Sequence, residues 1–333
     1  MDGSEIRLSN HNGFYPPIEP YAHGFLPVAG GHSIYWEECG NPDGIPVFIV
    51  HGGPGCGCGE KDRRLLDPEK WRIILFDQRG SHRSVPFGSI ENNTTEDLAR
   101  DMWNLRRELG IKQTVLFGGS WGSTLALYYA IRFPEDVLAI ILRGIFLGEK
   151  AELDILYNGG TGLFFPEEWE RFIGNVPPEK RNDILGYFYE RMTTGTQEER
   201  RQFAFELSRF EENLLRLEPL LEEEVDAETK DYPFESIGLM EAHYFVNNCF
   251  MKDGFILKNT DRIPKIPISI NQGRWDMVCP PDAAWRLKKS LEATGHQVDY
   301  NILQSGHAKT DPEMLKKLVE EGNRIHSLLA QTP

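Results

Sequence analysis

Ser120 stands in Gly118-Gly119-Ser120-Trp121-Gly122, a Gly-x-Ser-x-Gly pattern between the apolar run TVLF and the segment STLALYYAIRFP. Small residues two positions either side of the serine permit a sharp turn in which bulky side chains would clash. Between a strand and a helix, such an elbow holds a hydroxyl clear of its own backbone as a nucleophile. The helix that begins after Ser120 adds the partial positive charge of its N-terminus to an oxyanion formed there. The chemistry this suits is acyl transfer; a plain Gly/Ser turn is the bland alternative, and partner residues decide between them.

A serine hydroxyl needs a base. Of the nine histidines, His307 follows the last expected strand, QVDYNILQSGH, whereas His51 falls in a glycine loop and His82, His243 and the others in loops or helices. A serine on such an elbow draws its partners from the carboxyl ends of strands, in the chain order Ser, Asp or Glu, His. His307 meets both conditions. The acid then belongs between the two, and Asp276 in ISINQGRWDMVCPP follows a strand end; Asp282 and Asp299 lie away from it. Asp276 would accept the Nδ1 proton of His307 and stabilise the imidazolium. The loop HGGPG (51–55) follows the strand VFIV, and its glycines let backbone N–H groups approach a ligand. The oxyanion donors expected are the N–H of Trp121, after the nucleophile, and that of Gly53. The loop lacks the Walker Lys-Ser/Thr pair and the G-x-G-x-x-G spacing before a helix, so nucleotide binding is not expected. Neither a metal nor an organic cofactor is needed for this chemistry.

Short apolar segments must carry these residues. IPVFIV (45–50), WRIILFD (71–77), TVLFGG, DVLAIILRGIF (136–146), IPISINQGRWD (266–276) and QVDYNILQSGH (297–307) read as strands, as does GHSIYWEECG after a turn-rich start. Between them, TTEDLARDMWNLRRELG (94–110), STLALYYAIRFP, PDAAWRLKKSLEATG and DPEMLKKLVEEGNRIHSLLA have helical spacing; the first opens on a capping-box-like Thr94 with Asp97 and closes at Gly110. Strands alternating with helices predict an α/β fold, a mostly parallel sheet with helices on both faces. From 148 to 258 the alternation stops and charged helical stretches appear, so residues 1–147 and 259–333 are expected to form the core and 148–258 an inserted helical cap.

The whole-chain properties fit. The 333 residues carry a net charge of −15, which argues against nucleic acid and anionic membranes as partners and tolerates a cationic substrate. The start, MDGSEIRLSNHNG, has no basic segment followed by an apolar core, and no apolar run approaches a membrane span. Cys39, Cys56, Cys58, Cys249 and Cys279 read as free thiols in a reducing, cytoplasmic compartment.

HGGPG, DQRGSHRS (77–84), NTTEDLARDMWNLRRELGI, GGSWGSTLALYYAIRFPE, GRWDMVCPP and SGHA together resemble the proline iminopeptidases, serine peptidases of the α/β-hydrolase fold, in order over nearly the whole chain. The resemblance implies removal of an N-terminal residue, usually proline, from short peptides. SRFEENLL is similar to the family segment whose glutamate helps hold the substrate's free α-amine, here Glu211, and MEAHYFVNN to the segment with the second, here Glu241. A protonated amine in a half-dry pocket needs carboxylates around it, which confines action to a true N-terminus. The chain departs from the family at Phe210, where tryptophan is usual, and at His82, where glycine is usual; both positions are expected to shape the pocket near the leaving group or the proline ring. Asp77 and Arg79 of DQRG are expected to brace the loops. The expected reaction is therefore a Ser-His-Asp aminopeptidase acting on short peptides or amino-acid amides. An esterase or amidase for a small metabolite, with the same triad, is the alternative within enzymes; a ligand-binding protein of the same fold without catalysis is the alternative outside them.

Overall fold

A computed structural model describes residues 11–331, so most of the start MDGSEIRLSNHNG read above lies outside the described residues. Eight strands form one sheet: β1 (Ala22–Val28), β2 (His32–Gly40), β3 (Ile45–Val50), β4 (Trp71–Phe76), β5 (Thr114–Ser120), β6 (Val137–Ile145), β7 (Ile268–Gly273) and β8 (Val298–Leu303), in the spatial order β1-β2-β4-β3-β5-β6-β7-β8. β1–β2 and β2–β4 pair antiparallel and every later pair is parallel. The sequence reading passed over β1. Its residues alternate between half-buried and exposed with none in the core, and Pro27 sits in it, which an edge strand tolerates.

Alternation along the central strands sends side chains to two apolar layers. Phe48, Ile74, Leu116 and Ile140 point to the face covered by α1 (Thr95–Glu108), α2 (Trp121–Arg132) and α9 (Pro281–Ala293). Val47, Ile49, Ile73, Val115 and Ile141 point to the face covered by α10 (Pro312–Ala330) through Met314, Leu315 and Leu318. Thr94 caps α1 in a reciprocal box with Asp97, as its sequence suggests. α2 is buried along all of its length but Arg132, which accounts for its mostly apolar composition.

Between β6 and β7 the chain forms helices and short turns only: α3 (Lys150–Tyr157), α4 (Pro166–Gly174), α5 (Ile184–Thr194), α6 (Gln197–Leu214), α7 (Glu222–Asp231) and α8 (Phe234–Val246). Aromatic rings weld several of them together. Phe172 stacks on Phe210 at 4.4 Å between centroids and meets Phe188 at 4.7 Å. α6 and α8 touch backbone to backbone where Gly238 passes Ala204: a Cβ on Gly238 would lie 2.7 Å from the Ala204 carbonyl oxygen. Glu241 follows that contact by about one helical turn and Glu211 by about two.

Candidate active site

All the residues singled out for catalysis follow strands at the carboxyl edge of the parallel sheet. β5 ends on Ser120, whose backbone is left-handed at φ +57° and ψ −131°. A non-glycine residue held there is strained, and the surroundings enforce it. The glycines either side are sterically required. A Cβ on Gly118 would lie 2.2 Å from the Gly122 carbonyl oxygen, and one on Gly122 would lie 2.0 Å from that of Val50. The turn is thus wedged against β3, and its serine lines a cavity of about 540 Å3.

His307 and Asp276 meet on the same rim. His307 Nδ1 lies 2.8 Å from Asp276 Oδ2, both side chains being nearly fully buried. A carboxylate only accepts, so the neutral imidazole carries its proton on Nδ1 and leaves Nε2 as the basic atom. Asp276 is held in turn: Oδ1 accepts from the N–H groups of Val278 at 3.1 Å and Cys279 at 2.7 Å, and Oδ2 from Gln272 Nε2 at 3.1 Å. Arg143 Nη1 donates to the His307 carbonyl at 2.6 Å and fixes that loop from below. His307 and Ser120 line the same cavity, with no mutual hydrogen bond among the described residues.

Gly53 also lines the cavity, at φ +97°, and Gly52 packs on the serine, its would-be Cβ 3.2 Å from Ser120 Cβ. The N–H of Trp121 opens α2. Its indole is buried, donating to Gln78 Oε1 at 2.9 Å and meeting Tyr244 edge-on. Gln78 returns to the glycine loop: its side-chain amide donates to the His51 carbonyl at 2.9 Å, and its backbone N–H donates to His51 Nε2 at 2.9 Å. Burial pushes the His51 pKa down, so this ring is a neutral brace. Asp77 takes the Cys58 N–H at 2.8 Å and Arg83 at 2.7 Å; burial alone would raise its pKa, but hydrogen bonds from His82 and Arg83 hold it well below the usual range. Arg79 grips Asp101 with two hydrogen bonds of 2.5 and 2.8 Å.

From the helical segment, Glu211 and Glu241 reach the cavity that Ser120 lines. Burial pushes the Glu211 pKa up to about 7 and that of Glu241 well above the usual range, with the neighbouring Glu211 charge adding to the latter. Tyr157 donates its hydroxyl to Glu211, while Glu241 Oε2 is buried without a hydrogen-bond partner. No cation among the described residues pairs with either. Such a pair retains a proton near neutral pH until a cation arrives to replace it.

Two expectations about the pocket part ways. His82 does line the cavity, at φ +41° with Nδ1 3.4 Å from Asp77 Oδ2. Phe210 does not: it points into the helical core against Phe172 and Trp169, away from the face that carries Glu211, because adjacent helical residues project about 100° apart. Sequence reasoning missed Gln272, Arg143 and Tyr157. Gln272 and Arg143 sit inside strands where an apolar residue is usual, which was a usable signal; Tyr157 had none.

A family model of the α/β hydrolase fold matches residues 45–308. The chain is 41% identical over 313 residues to a probable proline iminopeptidase of Leptolyngbya boryana, covering 93% of this chain and 96% of that one. It is 41% identical to the proline iminopeptidase of Xylella fastidiosa over 92% of this chain and 96% of that one. With that of Arabidopsis thaliana it shares 39% over 96% of this chain and 84% of that one. Among solved structures, a proline iminopeptidase-related protein of Thermus thermophilus superposes with a TM-score of 0.55 at 21% identity, covering 93% of this chain and 96% of that one. An esterase of Exiguobacterium antarcticum does so at 0.60 and 17%, covering 93% and 98%; both share the fold.

Proposed function

The chain belongs to the proline iminopeptidase family of α/β hydrolases, and from that membership we propose that it releases an N-terminal residue, preferentially proline, from short peptides through an acyl-enzyme on Ser120. One observation carries the reading: two carboxylates without a cationic partner line the same cavity as a serine elbow and a His-Asp pair. Glu211 and Glu241 hold the substrate's ammonium, replacing the proton they share. Ser120 Oγ attacks the carbonyl carbon of the first residue while His307 Nε2 takes the hydroxyl proton. The tetrahedral oxyanion is received by the N–H groups of Gly53 and Trp121; losing one such donor lowers the rate by about 100- to 1000-fold. The C–N bond then breaks as the imidazolium returns its proton to the leaving nitrogen. Water repeats the sequence on the ester, releasing the amino acid and restoring Ser120. In this reading residues 148–258 act as a cap that supplies the amine site, and the core residues supply the chemistry.

The test compares a prolyl naphthylamide, the same compound with its amine acylated, and a simple acyl ester. Rapid hydrolysis of the first and loss of hydrolysis on acylation are expected, with a fluorophosphonate adduct on Ser120. Indifference to the free amine would point to an esterase or amidase, and absence of the adduct to a protein that only binds.

A further inference from the structure

Lys61, Arg143, Arg216 and Lys309 are the lysines and arginines on the cavity wall. Arg143 is engaged by the His307 carbonyl, Arg216 pairs with Glu212 and Glu228, and Lys61 stands on the exposed rim. Lys309 differs from these. It follows His307 by two residues on the same loop, its side chain is 31% exposed, and its ammonium pairs with Asp62, a largely buried carboxylate on the same wall that also accepts the Gly59 N–H at 2.9 Å. No catalytic role above uses this pair.

The proposed reaction fixes what comes near it. His307 returns its proton to the leaving nitrogen. In a dipeptide that nitrogen is one Cα away from a free carboxylate. With the substrate's amine tied to glutamates from α6 and α8, core loops 56–62 and 307–310, together with His82, form a further part of the same cavity wall that is open to the leaving residue. Resting on that reading, we propose that Lys309, with Asp62 as its resting counter-ion, binds the free carboxylate of the leaving amino acid and makes the enzyme selective for dipeptides. An amidated dipeptide has no such charge, and a tripeptide carries it one residue too far.

The experiment measures kcat/KM for Pro-Ala, Pro-Ala-amide and Pro-Ala-Ala. The native enzyme is expected to favour Pro-Ala over its amide about 10-fold, the scale of one part-exposed charge-assisted hydrogen bond. Lys309→Met should bring the ratio near one, and Lys309→Arg should retain most of it. Asp62→Asn, which frees the lysine, should keep or raise the ratio. Parity in the native enzyme, an unchanged ratio in Lys309→Met or a fallen one in Asp62→Asn overturns the proposal. If prolyl naphthylamide is still cleaved, only this proposal falls; if proline is released from no substrate, the peptidase reading falls with it.

Discussion

Asp276 and Glu241 are both 2% exposed, yet they sit in opposite circumstances. Asp276, on the rim of the core beside His307, takes two backbone N–H groups, the Gln272 amide and the His307 ring, so its negative charge is fully answered within the fold. Glu241, on the helical segment, has one oxygen with no partner and a second carboxylate beside it. A buried polar atom left unsatisfied is destabilising by about 1–3 kcal/mol. The core rim is finished before substrate arrives. The helical pair is left to be completed from outside, which fits the free-amine site proposed above.

The largest effects should come from the finished side. Ser120→Ala is expected to lower kcat by about 10^6-fold on amide and ester substrates alike, since nucleophile and base act as a unit. Asp276→Asn should cost about 10^4-fold, because an amide facing Nδ1 favours the wrong tautomer. Steady-state kinetics on both substrate types checks this. A larger loss on amides than on esters would mean that the rim is not independent of the amine site.

Smaller and more selective losses are expected on the unfinished side. Glu241→Gln should reduce kcat/KM for free-amine substrates about 10- to 100-fold, the scale of one charge-assisted hydrogen bond, and Glu211→Gln likewise. Simple esters should be nearly unaffected. Equal losses on esters would break the contrast.

The protonation state sharpens it further. Burial raises the pKa of both glutamates, that of Glu211 to about 7. Below that pH the retained proton competes with the substrate's ammonium. The free-amine to ester ratio of kcat/KM should therefore fall as pH drops below about 7, by up to about 10-fold per unit for one proton. His307 affects both substrates and cancels in the ratio. For the empty protein the sign runs the other way: carboxylates whose pKa is raised on folding stabilise most at acid pH, and that contribution is lost as pH rises from the ordinary glutamate range through the raised pKa of each, about 7 for Glu211. Thermal unfolding across this window should show the loss in the native chain and a flatter profile in Glu241→Gln.

The placement of the proposed catalytic rim was legible because strand ends and glycines leave marks in a single sequence. Gly118 and Gly122 are dictated by contacts under 2.5 Å, and chain order placed Asp276 and His307. The helical site left no such mark. Glutamates on charged helices are ordinarily solvated, and only resemblance singled out Glu211 and Glu241. What brings them together is a long-range packing event, Gly238 against Ala204, that neither helix encodes alone. β1 escaped for a related reason: its inward side is only half-buried, and His23, Gly24 and Pro27 interrupt the apolar run that marks the central strands.

Phe210 gives the smallest effect and the sharpest check on where the two regions part. Read from sequence, it shapes the pocket near the leaving group or the proline ring; in the fold it stacks on Phe172 inside the helical core. Phe210→Trp adds volume to a packed site, which is destabilising by about 1–3 kcal/mol when neighbours cannot yield. The variant should lower the melting temperature while leaving the ratio of prolyl to alanyl naphthylamide hydrolysis within about twofold, since overpacking acts on the core rather than on groups that touch substrate. A change in that ratio without a change in stability would put Phe210 back at the pocket and make the helical core part of substrate selection.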